Sequence, residues 1–535
     1  MHSKAFDKLA ARAGRSVLLP YYKHKFDQFA RTLDAFPQRQ ERFLLDLLAR
    51  TAGTRFGRMY GLDKVRSVSD FRKAIPIQSY ESLRPYLDEE AAGARNAIIP
   101  LSDAIKAFAC TTGTTGKSKL LPVTQRWLSQ YQANWRMWGA KCIADHENII
   151  GTRWLQISGP MDVGTTGSGL KIGMASAISA RFQNPIFNVF HAVPATVGDI
   201  SESEARYYAI LRLAMAQNVG FLLTITAANF LTLARLGDTH KETLIRDIHD
   251  GSFKNLDSVR RHLPPRALAF ASRPSRDRAK ELEQLASRND GLYPKHYWDL
   301  RLLCCWLGGT VGYQSKELHH YYGDVARRDI GYISTEGRHS VPLSDTDPAG
   351  PVIPDGTFFE FQPEGSDDIV SAQDLEPGVS YSVVLTSTNG LFRYAIGDIV
   401  RCKGFMSRTP LIEFLHKSSD VSDLEGEKLS AEQAVTAGRR ALESLRLAGT
   451  FSLMPTRAAS GQAHYSIVME ESREHENLYR KLPELFDAGL KTLNIVYYQK
   501  RSDGSLTEPT LTLIPQGSWE RLAEVTGRKR GTGES

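Results

Sequence analysis

Residues 104–119 read Ala-Ile-Lys-Ala-Phe-Ala-Cys-Thr-Thr-Gly-Thr-Thr-Gly-Lys-Ser-Lys. Ala104 to Cys110 is short, mostly apolar and runs straight into Thr and Gly, the pattern of a buried strand entering a glycine-bearing loop. Thr111 to Lys119 concentrates hydroxyls, glycines and lysines. Such groups hold polyphosphate through backbone N–H donors, side-chain hydroxyls and charge. A P-loop requires G-x-x-x-x-G-K-[ST], and Gly116-Lys117-Ser118 satisfies its end. Thr111 stands where the first glycine belongs, so the Walker reading fails. The plain alternative is a Gly/Thr loop that only turns.

Outward from this loop the periodicity is mixed. Upstream, Phe26, Phe29 and Leu33, then Phe43, Leu44, Leu47 and Leu48, recur at helical spacing and predict two amphipathic helices separated near Pro37. Downstream, helical periodicity dominates from Ser201 to Arg288. The apolar run Leu302 to Leu307 ends at Gly308-Gly309 and predicts a second buried strand. Thr357–Phe361, Tyr381–Ser387 and Asp398–Lys403 are rich in β-branched and aromatic residues, which predicts strands of a more antiparallel layer. Beyond Lys417 a new unit is expected: a helix over Ser430–Leu447, strands near Phe451 and Tyr465, a helix over Asn477–Leu493 and a strand near Leu511. The fold class is therefore α/β, with a large domain of mixed sheets flanked by helices over residues 1–416 and a smaller α+β domain over 417–535.

A chain of 535 residues exceeds what one core organises, which agrees with that division. Its 41% apolar and 24% charged residues exclude the disordered and fibrous classes. Met1 to Ala10 shows no secretory pattern. The longest apolar run, Val219 to Ala234, is interrupted by Thr224, Thr226, Asn229 and Thr232 and is shorter than the roughly 20 residues a spanning helix needs, so no membrane segment is expected. Five cysteines form no C-x-x-C pair and leave an odd count, against a disulfide framework or a zinc site and in favour of the cytoplasm. The formal charge of +7 suits an anionic ligand. Apart from Arg528–Arg530, however, the basic residues are scattered among acidic ones, and no nucleic-acid partner is expected.

Two further motifs follow in order, Tyr332-Ile333-Ser334-Thr335-Glu336 and Arg393-Tyr394-Ala395-Ile396-Gly397-Asp398. Taken alone, the first is a helix start and the second a strand-ending Gly-Asp turn. Together with the threonine-rich loop they resemble the three motifs of the adenylate-forming superfamily of acyl-CoA synthetases, adenylation domains and luciferases. The loop pattern there is T-S-G-T-T-G-x-P-K, from which only Thr112 and Ser118 depart. The resemblance implies nucleotide contacts from Thr111, Thr112, Gly113, Thr114, Thr115 and Gly116, charge neutralisation by Lys119, and adenylate contacts from Tyr332, Ser334 and Thr335. It also implies Glu336 as a magnesium ligand and Asp398 as the acceptor of both ribose hydroxyls. Lys417, Asp420, Gly426, Lys428 and Glu432 are spaced like the superfamily's hinge at the start of a mobile C-terminal domain, with Lys428 reaching the adenylate; a solvated lysine beside Glu427 is the alternative. Ala395 stands where the superfamily has an arginine, with Arg393 nearby. Gly527-Arg528-Lys529-Arg530 is a poor match to the lysine setting G-x-x-K-x-P-R near the C-terminus.

Phe71-Arg72-Lys73-Ala74-Ile75-Pro76, Tyr80-Glu81 and Pro85-Tyr86 precede the loop, and Cys305-Trp306, Gly309-Thr310 and Tyr321-Tyr322-Gly323 follow it. This layout is similar to that of the plant auxin-conjugating acyl-acid amido synthetases and covers roughly residues 40 to 435. The implied activity uses ATP and magnesium to convert a carboxylic acid to an acyl-adenylate, which an amine, taken to be an amino acid, converts to an amide. The competing readings are a thioester ligase and a nucleotide-binding protein without catalysis. In the resembled family Gly164–Leu170 lies beside the acyl pocket, with a plain loop as the alternative; Thr224–Ala227 reads as a buried helix start, with a flank of the same pocket as the alternative. None of the 14 histidines shows ligand or triad spacing. Acid, acceptor and oligomeric state are set by positions scattered along the chain.

Overall fold

The computed structural model describes residues 4–111, 119–183, 189–308, 315, 317–418, 421–422, 424–425, 427, 429–458, 462–471 and 476–522. The chain divides into two compact units, one of Met1–Ile396 with Val400–Phe414 and one of Gly397–Ile399 with Leu415–Ser535.

In the first unit α1 (Lys4–Thr32) is followed by a 3-10 turn and α2 (Phe36–Thr51), whose first turn carries Pro37, where the missing N–H costs nothing. The two helices expected around Pro37 are thus present. Helix α3 (Tyr80–Ala92) leads to β1 (Ile105–Thr111), which pairs antiparallel with β2 (Lys119–Thr124). At Thr124 the hydroxyl accepts from Trp127 N and caps α4 (Gln125–Asp145). A parallel sheet in the order β3 (Arg153–Gln156), β4 (Val219–Leu223), β5 (Leu302–Cys305) and β6 (Ala326–Asp329) is wound through helices, among them α5 (Ala175–Arg181) and α6 (Ala227–Thr239). Its two central strands, β4 and β5, are apolar and buried throughout, as strands covered on both faces must be, whereas the edge strands β3 and β6 carry Arg153, Gln156, Arg327, Arg328 and Asp329. The expected antiparallel layer contains β7 (Thr357–Pro363), β8 (Ser380–Ser387), β9 (Leu391–Met406) and β10 (Thr409–Lys417) as adjacent strands.

The strand expected over Asp398–Lys403 is part of β9, which runs unbroken from Leu391 to Met406, so the alternative of a strand-ending turn at Gly397-Asp398 does not hold. This strand contains Arg393 and Gly397 at positive φ, 46° and 76°, so the backbone bends without leaving the sheet.

The second unit holds α7 (Ala431–Ser444), β11 (Phe451–Arg457), β12 (Ala463–Glu470), α8 (Leu482–Leu493), α9 (Ile495–Ser502) and β13 (Thr510–Ile514). β11 and β12 pair antiparallel, β12 and β13 parallel. The expected helix over Asn477–Leu493 is instead two pieces, Glu476–Tyr479 and α8, since Pro483 favours a fresh helix start. α9 lies outside the sequence expectation; the Asn494 side chain caps it by accepting from Tyr497 N.

Candidate active site

Thr111 and Lys119 face each other as the last pair of β1 and β2. Thr112, Gly113, Thr114, Thr115, Gly116, Lys117 and Ser118, the heart of the predicted phosphate loop, lie outside the described residues, as do Gly309, Thr310, Asp420, Gly426, Lys428 and Lys529. Lys119 is held in an aromatic cradle. Its Nζ donates to Tyr394 Oη at 3.0 Å and lies 5.5 and 5.7 Å from the ring centroids of Tyr80 and Tyr394. Tyr80 Oη donates to Leu120 O and accepts from Leu120 N. Burial pushes this phenol up to about 12, so it remains neutral.

The Tyr332–Glu336 motif occupies the turn that follows β6. Gly331 makes the turn feasible: φ is +82°, and a Cβ there would lie 2.6 Å from Pro342 Cδ and 2.7 Å from Ser340 O. Tyr332 N donates to Ser340 Oγ, and Tyr332 O accepts from His339 N and Ser340 N. Ser334 Oγ accepts from Glu336 N and lies 3.0 Å from His339 Nε2. Ser334 and Thr335 are half-buried and Glu336 is buried. Trp127 Nε1, in the first turn of α4 directly after β2, donates to Glu336 O at 2.9 Å. The elements bearing Lys119 and Glu336 are therefore tied together.

In the third motif Arg393 does not stand in for the missing arginine. Its guanidinium is bound to Glu360 at 2.9 and 3.2 Å and to the carbonyl of Ile75 at 2.7 Å, with Arg72 on the same carboxylate. This network holds Arg393 in the left-handed region and leaves Tyr394 facing Lys119. Asp398, in the second unit, is 2% exposed and ion-paired with Lys417. Among the described residues no group of three His, Cys, Asp or Glu side chains is placed to hold a metal ion.

A cavity of about 550 Å³ lies on one face of the parallel sheet, beneath α1, α4 and α5. Gln156, Leu223, Thr224 and Ile225 line it at the carboxyl edge of β3 and β4, and Trp154 and Phe221 line it two residues back along the same strands. Thr224 and Ile225, read from sequence as a helix start, lead into α6 and also form the cavity wall. Gly164–Leu170 does not line it; Ser168 N donates to Ala91 O, at the end of α3. A ladder of rings along α4 runs from the Glu336 contact to the cavity: Trp127 stacks on Tyr131 at 4.6 Å, Tyr131 meets Trp135 at 6.4 Å, and Trp135 meets Trp138 at 5.4 Å.

The sequence matches the GH3 family N-terminal domain over residues 23–326, the GH3 family central domain over 350–417 and the GH3 family C-terminal domain over 430–534. The chain belongs to the GH3 family. Among relatives of this GH3 protein, "Indole-3-acetic acid-amido synthetase GH3.8" of Oryza sativa subsp. indica is 25% identical, with 93% of this chain and 86% of that one aligned. "Jasmonoyl--L-amino acid synthetase JAR6" of Nicotiana attenuata is 24% identical over 91% of this chain and 87% of its own. The solved structure "AtGH3.15 acyl acid amido synthetase in complex with 2,4-DB" superposes with a TM-score of 0.83 at 20% identity, covering 96% of this chain and 92% of that one, so the fold is shared.

Two residues of this GH3 protein that carry no motif bear on the cavity. Arg338 does not line it but is fully buried against two residues that do, 4.2 Å from the Trp135 ring and 5.2 Å from that of Trp138, with no hydrogen-bond partner for its guanidinium among the described residues. Burial brings it down to about 10, so it is a cation at neutral pH, stabilised by the two indoles. Its two-residue offset from Glu336 is the only signal in the sequence. The other is His191, a cavity-lining residue in a segment without any signature.

Proposed function

We propose that this GH3 protein is an ATP-dependent acyl-acid amido synthetase. A carboxylate oxygen of the acid attacks the α-phosphorus of ATP, pyrophosphate leaves, and the amine nitrogen of an amino acid then attacks the acyl carbonyl. AMP leaves and the nitrogen gives up its proton. The observation that carries this reading is the in-order match of all three GH3 domains, in a family whose relatives named above are amido synthetases.

The chemistry asks for charge neutralisation more than for a strong base. A carboxylic acid with a pKa of about 4 is already ionised at neutral pH, and an α-amino group near 8 is already partly neutral. We assign neutralisation to Lys119 and the amides of Thr111 to Gly116, adenylate contacts to Tyr332, Ser334 and Thr335, ribose binding to Asp398, and adenylate binding to Lys428. The Lys119 ammonium, held by Tyr80 and Tyr394 and within electrostatic reach of the Glu81 carboxylate, has charge to offer a phosphate. Asp398 would exchange part of its pairing with Lys417 for ribose hydroxyls. Magnesium fits Glu336, since this ion takes one or two carboxylates and completes its shell with phosphate oxygens and water. When bound it would offset phosphate charge. We place the acid in the 550 Å³ cavity, its carboxylate toward the carboxyl edge of β3–β6, where parallel sheets receive ligands. The five buried free cysteines fit the reducing cytoplasm.

Purified protein should exchange labelled pyrophosphate into ATP with some member of a carboxylic-acid panel and release AMP in quantity only when amino acids are added. An acyl-CoA product in place of an amide would move the acceptor assignment. No exchange and no hydroxamate trapping across the panel would end the ligase reading.

A further inference from the structure

The two ends of the cavity differ chemically, and the difference constrains the acid; this rests on the ligase reading above. The carboxyl edge carries Gln156 and Thr224. Two residues back from Gln156 along β3 and three back from Thr224 along β4, about 7–10 Å deeper at strand spacing, lie Trp154 and Phe221, their ring centroids 5.6 Å apart. His191 sits beside them. Its segment bridges Trp154 in parallel, with Trp154 N donating to Phe190 O and Ala192 N to Trp154 O, which fixes the ring 6.3 Å from the indole. The cavity lining is mostly apolar, with Trp135, Ile143 and Ile149 among its walls.

Burial holds His191 down to about 4, so at neutral pH it is an uncharged imidazole with one N–H donor and one acceptor nitrogen. Neither nitrogen is hydrogen-bonded within the protein among the described residues. A polar ring left unpaired in an apolar wall costs free energy that a ligand group recovers, and the same cost rises when an apolar ligand displaces water from it. The body of the cavity suits rings; its floor offers the donor and acceptor nitrogens of His191, beside the buried Trp154 Nε1, which has no partner among the described residues.

We propose that His191 is the specificity-determining residue of this pocket, and that the acid is an elongated ring-bodied carboxylic acid carrying a hydroxyl at the end farthest from the carboxylate. The hydroxyl donates to one imidazole nitrogen of the floor or accepts from the other. The carboxylate remains at the sheet edge, on the side of the Tyr332–Glu336 turn.

The test is AMP release by the full chain with ATP, magnesium and a mixture of proteinogenic amino acids, using matched probes: biphenyl-4-carboxylic acid against its 4′-hydroxy form, and 2-naphthoic acid against its 6-hydroxy form. The hydroxylated member of each pair should have a kcat/KM about tenfold higher, expressed mainly in KM, as expected when a buried polar group loses its partner. His191→Leu should bring the ratio close to one, and His191→Asn, which can still donate and accept, should restore part of it. A wild-type ratio near one overturns the proposal whether or not the variants fold, and so does a His191→Leu protein that keeps the full preference. Preference for biphenyl-4,4′-dicarboxylic acid also overturns it, pointing instead to Lys25 and Arg136 on the cavity wall. If acids turn over without hydroxyl discrimination, the ligase reading survives and this inference does not; if none turns over, both fall.

Discussion

Glu360 holds two guanidiniums, those of Arg72 and Arg393, with its own side chain 1% exposed. Neutralising it would leave Arg393 buried and uncompensated at a left-handed backbone position, so Glu360→Gln should cost about 3–5 kcal/mol. Chemical denaturation would read this directly; a loss below about 1 kcal/mol would show that the pair does not hold the strand. Farther along the same strand, Asp398→Ala should raise the KM for ATP by removing the proposed ribose acceptor. Glu336→Ala should slow acid-dependent pyrophosphate exchange by roughly 10²-fold, the scale of one lost preorganised electrostatic contact. Wild-type exchange rates in both variants would refute the site assignment. These residues could be proposed from sequence because each has a local signature. The commitment of Arg393 to Glu360 could not: the two lie 33 positions apart and meet only because β7 and β9 flank β8 in one sheet.

Among elements, the turn after β6 depends on Gly331. An alanine there would meet backbone at 2.7 Å in a conformation that side chains rarely adopt. Gly331→Ala should therefore destabilise the fold by about 2 kcal/mol or more and displace Tyr332 and Glu336 together. Thermal unfolding with exchange kinetics checks both, and an unshifted melting temperature with full activity would mean that the turn tolerates a Cβ. Element types followed the sequence well where one periodicity ran uninterrupted, as in α2, β1 and α7. They failed at Asn477–Leu493, where a proline inside an amphipathic pattern split the helix; the strand expected from Asp398 is present but starts earlier, because Gly397 bends β9 without ending it.

For the molecule as a whole, His191 links the cavity to pH. Its folded value of about 4 lies below the ordinary 6.5, so between these limits the unfolded chain binds more protons than the folded one and stability falls with acidification. The contribution is complete above pH 6.5 and is lost as pH falls toward 4. It amounts to about 3 kcal/mol, at roughly 1.4 kcal/mol for each pH unit between the two values. His191→Leu should flatten the stability profile across this window relative to wild type. Parallel profiles would show that the imidazole is as well solvated folded as unfolded.

The amino-acid sequence by itself determined what neighbours along the chain can encode: strand and helix periods, the hydroxyl- and glycine-rich loop, the order of the three motifs, and through their resemblance the family. Only the tertiary structure decided which of these groups meet. Lys119 reaches Tyr394 across 275 positions and Trp127 reaches Glu336 across 209. The cavity draws its walls from α1, α4, α5, β3, β4 and the segment around His191. Burial and partnership arise from distant segments collapsing onto shared cores, and no local pattern records them. Hence His191, unremarkable among 14 histidines in the sequence, acquires a distinct chemistry only where the chain folds around it.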